Sequence, residues 1–345
     1  MSVKKYDLLT GGQISPPASG RYYPLYSPVD GTLIAEVADA TRVDVDRAVA
    51  AAQEAFYAEW KFCSVEHKRA LFAKLKEMLY AAADELAGAK VQPQGGTGIP
   101  PLIERVIDYY VGKLDDGAGT LIEHGDQQTN YVYREPLGVV AIFVPFNGPM
   151  LGALLAAVPA LVAGNTIVVK APDQEAPQAL RTMQVFHEAG FPPGVVNALS
   201  GKGPEVGQAL VAHPATRLIS FTGSTATGKK IMAAAAEDLK RVQLNLGSKT
   251  AQVIFPDADL TAAVDATIGS AFPGQACSAI SRGLLHSSVR DKFVALLQEK
   301  AQAAGPSMLI DGAAIERVER YVEMGKTQGA LLFGGRRATE DEYAK

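Results

Sequence analysis

Val45, Ala48, Val49, Ala52 and Phe56 recur at the spacing of a single helix face, directly after Thr41 and Asp44. Thr41 can cap that helix and Asp44 stands where a capping box places its acid, so the pattern predicts a surface helix. Ser64 opens a second pattern with Leu71, Leu75, Met78 and Leu79 on one face, running towards Leu86. The stretch QPQGGTGIPP, Gln92 to Pro101, breaks it. From Tyr131 the texture becomes extended, YVYREPLGVVAIFVPFN, and Val139 to Val144 reads as a buried strand. The apolar run Met150 to Val162, interrupted by Gly152 and Pro159, reads as a buried helix.

Strand and helix patterns then take turns. Thr166 to Lys170 is a strand, Ala176 to Glu188 a helix stopped by Gly190, Pro192 and Pro193, and Val195 to Leu199 a strand. Glu205 to Ala212 and Lys229 to Glu237 are helices; Leu218 to Phe221 and Arg241 to Leu246 are strands. Short connections between such elements imply a parallel sheet covered by helices, a doubly wound α/β domain. After Lys249 a new unit begins, with Ala251 to Phe255 a strand, Leu260 to Ala271 a helix, the loop FPGQACSA, a strand around Gly283 to His286 and a helix from Val289 to Ala304. No internal repeat or low-complexity tract is present.

Composition narrows the class. A chain of 345 residues has room for about two domains. With 48% hydrophobic and 20% charged residues it is a globular chain, not a disordered one. A net charge of −4 offers no basic face, which excludes nucleic acid as a partner. The start, MSVKKYDLLTGGQ, is not a secretory signal, and no run is apolar enough to span a bilayer. Two distant cysteines, Cys63 and Cys277, give no disulfide framework and suit a reducing cytoplasm. The five histidines lack ligand spacing, so no metal site is expected.

Candidate chemistry falls at the ends of the predicted strands. LISF runs into TGSTATG and a helix, placing Gly223, Ser224, Thr225 and Gly228 where a helix N-terminus offers N–H groups to a phosphate. Read alone, the glycines could equally serve a tight turn. A second glycine-rich turn, Gly201 to Gly207, departs from the G-x-G-x-x-G spacing. Lys170 ends a strand with Asp173 three residues on, where an acid can accept from ribose hydroxyls or cap the following helix. Cys277 lies among small residues, where a thiol can be reached by a carbonyl compound; a free cysteine taken alone is more often inert packing. Cys63, beside Trp60 and Phe62, takes that inert reading. Asn147, after AIFVPF, could stabilise an oxyanion with its amide, or simply form the turn Asn147-Gly148-Pro149.

VPFNGP, TIVVK with Asp173, FTGSTATG, LNLGSK and GQAC stand in the order and rough spacing of aldehyde dehydrogenases, and the chain resembles that superfamily from near Tyr6 to its end. The resemblance implies a Rossmann-like cofactor domain over 1–249, with an extended bridging segment near 121–137, and a second, truncated α/β catalytic domain over 250–345. It implies oxidation of an aldehyde to a carboxylic acid with NAD, NADP also being admitted, through a thioester on Cys277. Asn147 and the Cys277 N–H would hold the oxyanion. Val144, Pro145 and Phe146, with Lys170, Asp173, Gly203, Gly207, Phe221, Thr222, Gly223, Ser224, Thr227, Gly228, Leu246 and Gly247, would line the cofactor. Because Thr129 to Glu135 resembles an intersubunit strand, a cytoplasmic homo-oligomer, dimer or tetramer, is expected.

The departures bear on the chemistry. Asn245-Leu246-Gly247-Ser248-Lys249 stands where hydrolytic members have a motif opened by glutamate, and an amide cannot act as a carboxylate base. A CoA-acylating branch also lacks that glutamate. Asn245 therefore leaves three readings: a hydrolytic dehydrogenase, a CoA-acylating one, or an inactive NAD-binding homologue. AFPGQAC, Gln92 to Pro101 and Ala304 to Ile310 all look shortened against the family pattern, which also continues beyond LLFGGRRATEDEYAK.

Overall fold

The structure is a computed structural model that describes residues 3–91, 99–117, 119–125, 128–271, 274–304 and 307–339. The chain divides into two compact units, Met1–Ser27 with Thr32–Leu246, and Pro28–Gly31 with Gly247–Lys345.

The first unit holds β1 (Lys4–Tyr6), β2 (Leu8–Thr10), β3 (Gln13–Ser15), β4 (Tyr22–Tyr26), β5 (Leu33–Ala38), α1 (Arg42–Ala58), α2 (Val65–Ala81), α3 (Ala83–Gly88) and α4 (Ile99–Val111). It continues with β6 (Thr120–His124), β7 (Gln128–Val132), β8 (Val139–Phe143), α5 (Pro149–Val162), β9 (Thr166–Lys170), α6 (Ala176–Glu188) and β10 (Val196–Leu199). It ends with α7 (Gln208–Ala212), β11 (Thr216–Gly223), α8 (Thr225–Ala236) and β12 (Arg241–Leu246). A seven-stranded sheet in the order β12-β11-β8-β9-β10-β2-β3 forms its centre. Strands β8 to β12 pair in parallel, while β2 and β3 add an antiparallel edge. From β8 the chain winds outwards through β9 and β10, then returns to the other side of β8 to lay down β11 and β12. This is the doubly wound α/β fold, with a switch point between β8 and β11.

Sequence chemistry explains the local order. Thr41 and Asp44 form the capping box of α1, with Asp44 accepting from the Thr41 N–H at 2.8 Å. Ser64 caps α2 by accepting from the His67 N–H at 3.1 Å. One face of the sheet buries Trp60, Phe72, Phe186 and Phe191, with the Phe72 and Phe191 rings edge to face at 5.3 Å. The Trp60 indole N–H donates to the Asn165 carbonyl at 2.9 Å, so this large ring is buried without an orphaned donor. On the other face, α1 packs Val45, Ala48, Val49 and Ala52 against Ala141, Val168 and Leu199.

Several expectations are revised. The second helical pattern does not run unbroken to Leu86: it stops at Ala81 and restarts as α3. Gly203–Gly207 is a π-helical turn, so the regular helix there is only Gln208–Ala212. Helix α8 starts at Thr225, four residues before the apolar pattern shows it, because Ser224 supplies its cap. Strands β1 to β5 and helices α4 and α11 (Gly312–Gln328) were not expected. Strands β1 to β3, of three residues each, carry too few residues to display a period.

The second unit contains β13 (Thr250–Ile254), α9 (Leu260–Ala271), β14 (Ile280–Leu285), α10 (Arg290–Ala304) and α11. Its two strands pair in parallel, and α9 and α10 cover one face through Ile254, Val264, Val289 and Phe293. The shortened stretches at Gln92 to Pro101, AFPGQAC and Ala304 to Ile310 lie partly outside the described residues, at 92–98, 272–273 and 305–306.

Candidate active site

Because β8, β9, β11 and β12 are parallel and in register, their carboxyl ends share one edge of the sheet: Phe143 pairs with Lys170 and with Phe221, and Gly223 with Leu246. Most cofactor candidates of the first unit stand at or just beyond that edge, at the switch point where open α/β sheets bind ligands. Val144 continues the β8 pairing by donating to the Lys170 carbonyl at 3.2 Å, and Pro145 to Gly148 then form the turn into α5. The Phe143 and Phe221 rings meet at 6.2 Å between these strand ends.

Helix α8 begins at this edge. Ser224 Oγ accepts from the Thr227 N–H at 3.2 Å and donates to Thr227 Oγ1 at 2.9 Å. The Ser224 hydroxyl thus serves the helix cap, and the first-turn N–H groups of Thr225 and Ala226 are those without an intrahelical acceptor. Gly228 lets α8 approach β12: a Cβ there would sit 2.6 Å from a Leu246 methyl. At Gly207 a Cβ would come within 3.4 Å of the Phe143 ring, while the space at Gly203 is open.

Lys170 and Asp173 form an ion pair in which the lysine is buried and the carboxylate is part-exposed. Asp173 is not the cap of α6; that position is Glu175. Tyr23, which sequence reasoning missed, belongs to the same neighbourhood. Its hydroxyl is buried with no hydrogen-bond partner among the described residues. Burial, and the negative charges of Asp173 and Asp39, push its ionisation far above the usual tyrosine range, so it stays a donor. No local motif marks it; only its buried, unmatched hydroxyl does.

Asn147 is half-buried in the turn before α5, and Asn245 is exposed on the edge strand β12, opposite Thr222. Gly247 and Cys277 belong to the second unit. There Cys277 is exposed in a turn closed by the Ala279 N–H donating to the Ala276 carbonyl at 3.1 Å. Cys63 contrasts with it: burial pushes its thiol up, only partly offset by Lys68, and its Sγ lies 3.8 Å from the Ser64 carbonyl. Among the described residues no helix can cross a membrane and no group of three His, Cys, Asp or Glu could hold a metal.

The model of the aldehyde dehydrogenase family matches residues 15–345. The chain belongs to the aldehyde dehydrogenase family. It is 35% identical to the hydroxyisobutyraldehyde dehydrogenase of Mycolicibacterium austroafricanum, over 96% of this chain and 69% of that one. It is 34% identical to the NADP/NAD-dependent aldehyde dehydrogenase PuuC of Escherichia coli (strain K12), over 96% and 71%. Among solved structures, PnpE in complex with nicotinamide adenine dinucleotide superposes with a TM-score of 0.91 at 35% identity, over 98% of this chain and 73% of PnpE. This aldehyde dehydrogenase chain thus spans about 70% of the length of its relatives.

Proposed function

We propose that the chain oxidises an aldehyde to the carboxylic acid with NAD through a thioester on Cys277. The observation that carries this reading is the sheet edge at the switch point, where the capped start of α8, the Lys170–Asp173 pair and Asn147 stand together in a chain of this family. The edge fits a dinucleotide in charge: N–H groups at a helix start suit a pyrophosphate, and the part-exposed Asp173 supplies an acceptor for ribose hydroxyls. Asp173 also disfavours a 2′-phosphate. On this reading residues 1–249 form the cofactor domain and 250–345 the catalytic domain.

The Cys277 thiolate attacks the carbonyl carbon, forming a C–S bond and moving one electron pair onto oxygen. The family resemblance assigns the stabilisation of that oxyanion to the Asn147 amide and the Cys277 N–H. Bound NAD supplies the acceptor for the hydride released when the oxyanion collapses, which leaves a thioester on Cys277. Water then adds to the thioester, loses a proton and expels the thiolate, giving the acid. An amide at Asn245 cannot take that proton, so deacylation is the slow step.

Asn245 also favours a second reading, in which CoA thiolate takes the acyl group and leaves as acyl-CoA. Stopped-flow NADH formation with an aldehyde panel, with and without CoA, separates the two. Hydrolysis predicts one fast equivalent of NADH per site followed by slow acid formation that CoA leaves unchanged. Acceleration by CoA with acyl-CoA as product establishes the second reading, and absence of any NADH overturns both.

The β6–β7 hairpin is exposed along both strands, with Leu121 paired to Tyr131 and both open to solvent. A two-stranded ribbon is marginal alone, which supports its role as a subunit contact in a homo-oligomer, dimer or tetramer. Two unpaired cysteines support residence in the cytoplasm.

A further inference from the structure

We propose that Gln275 is a positioning residue that aims the Cys277 thiol. The proposal rests on Cys277 being the nucleophile, and it concerns the second unit alone. Gly274 and Gln275 both lie in the left-handed region, at φ +69 and φ +55. The first is free to adopt it; a glutamine there must be held. Its side-chain amide does the holding: Oε1 accepts from the Ile310 N–H at 3.0 Å and Nε2 donates to the Met308 carbonyl at 3.3 Å. One side chain thereby acts as a strand would, pairing donor and acceptor with a backbone segment 33 to 35 residues away.

The other end of the loop is fixed independently. The Ile280 N–H donates to Ser270 Oγ at 3.0 Å, tying the start of β14 to the last turn of α9. Between these anchors stands the Ala276–Ala279 turn that carries Cys277. With Ser270 holding one side and Gln275 the other, the direction of the Cys277 Cα–Cβ bond is set by the amide's reach to Met308 and Ile310. Loss of the Gln275 anchor lets the turn rotate about the Ser270 anchor. Misplacement of a reacting atom by about 1 Å costs roughly 10²-fold in rate.

The test uses Gln275→Met, which keeps length and removes both hydrogen bonds, and Gln275→Glu, which keeps the acceptor for Ile310 and cannot donate to Met308. The readouts are the rate constant and amplitude of the NADH burst, NAD affinity by fluorescence titration, and carboxamidomethylation of Cys277 by iodoacetamide. A burst rate constant lowered about 10²-fold in Gln275→Met and less in Gln275→Glu is expected. Amplitude and NAD affinity should be kept, and alkylation should stay within threefold, because alkylation needs an accessible thiolate and no defined approach to an oxyanion site. A burst rate constant within twofold of the parent in folded Gln275→Met overturns the proposal. So does a loss confined to amplitude, which marks a residue that serves folding only, and so does a parallel fall in alkylation, which marks access and not aim. Cys277→Ala is the control: a burst surviving in it removes the nucleophile assignment itself, whereas its loss there with an unaffected Gln275→Met removes the positioning role alone.

Discussion

Replacing Asn245 by glutamate isolates the chemical difference between an amide and a carboxylate. Asn245 is exposed at the end of an edge strand, paired by backbone to Thr222. A longer acidic side chain there meets no buried wall, so its cost in stability should stay within about 0.5 kcal/mol. Any large kinetic change therefore reports chemistry. General-base assistance is worth about 10²- to 10⁴-fold, or roughly 2.7 to 5.5 kcal/mol of barrier. In the parent, acylation and hydride transfer need no base at this position, so the burst should reach one equivalent of NADH before slow turnover. Asn245→Glu should leave the burst rate within a few fold and raise the steady rate by up to that range, so that burst and steady phases merge. Stopped-flow absorbance on both proteins without CoA makes the comparison, with thermal melts confirming unchanged stability. Parent turnover already as fast as its burst, with Asn245→Glu changing nothing, would refute the reasoning and place the base elsewhere.

Three further outcomes are expected. Cys277→Ala should abolish thioester formation and aldehyde oxidation with NAD affinity within twofold, while Cys63→Ala, which removes a half-buried thiol of raised pKa, should leave turnover nearly unchanged; a thiol label that stops activity from Cys63 alone reverses the assignment. Asp173→Ala frees the buried Lys170 and removes the charge that opposes a 2′-phosphate, so the NAD/NADP preference in kcat/KM should fall by about fivefold or more, the worth of ~1 kcal/mol for a part-exposed pair; an unchanged ratio would remove Asp173 from the ribose site. Burial holds the His213 pKa below its ordinary value of 6.5, with Asp46 offsetting this only in part. The unfolded chain then binds the proton more tightly, so this contribution to stability is complete above pH 6.5 and is lost as pH falls below it. Urea midpoints should drop less on the acid side in His213→Gln than in the parent, and equal drops would exclude His213.

The amino-acid sequence alone determined those elements whose side-chain period is strong and whose ends carry their own stop signals. Helix α6, strand β9, strand β12 and helix α9 fall on the residues that period and caps predict, because capping, alternation and proline or glycine stops act within a few residues. The alternation of strand and helix from Val139 to Leu246 also implied a parallel sheet, and with it the single edge at which Asn147, Lys170 and Gly223 belong. Tertiary structure decided what depends on partners far along the chain. The antiparallel pairing of β2 with β10 joins Leu9 to Ala198, and no local pattern specifies it. Asp173 had two readings in the sequence, helix cap or ribose acceptor; its pairing with Lys170 removes the first, since the cap position falls on Glu175. Tyr23 carries no motif in the sequence, and Gln275 stands there only as part of the GQAC run, with nothing to mark its side-chain partners. Their importance lies in a buried hydroxyl left without a partner and in an amide whose partners, Met308 and Ile310, come within hydrogen-bond distance only once the chain has folded.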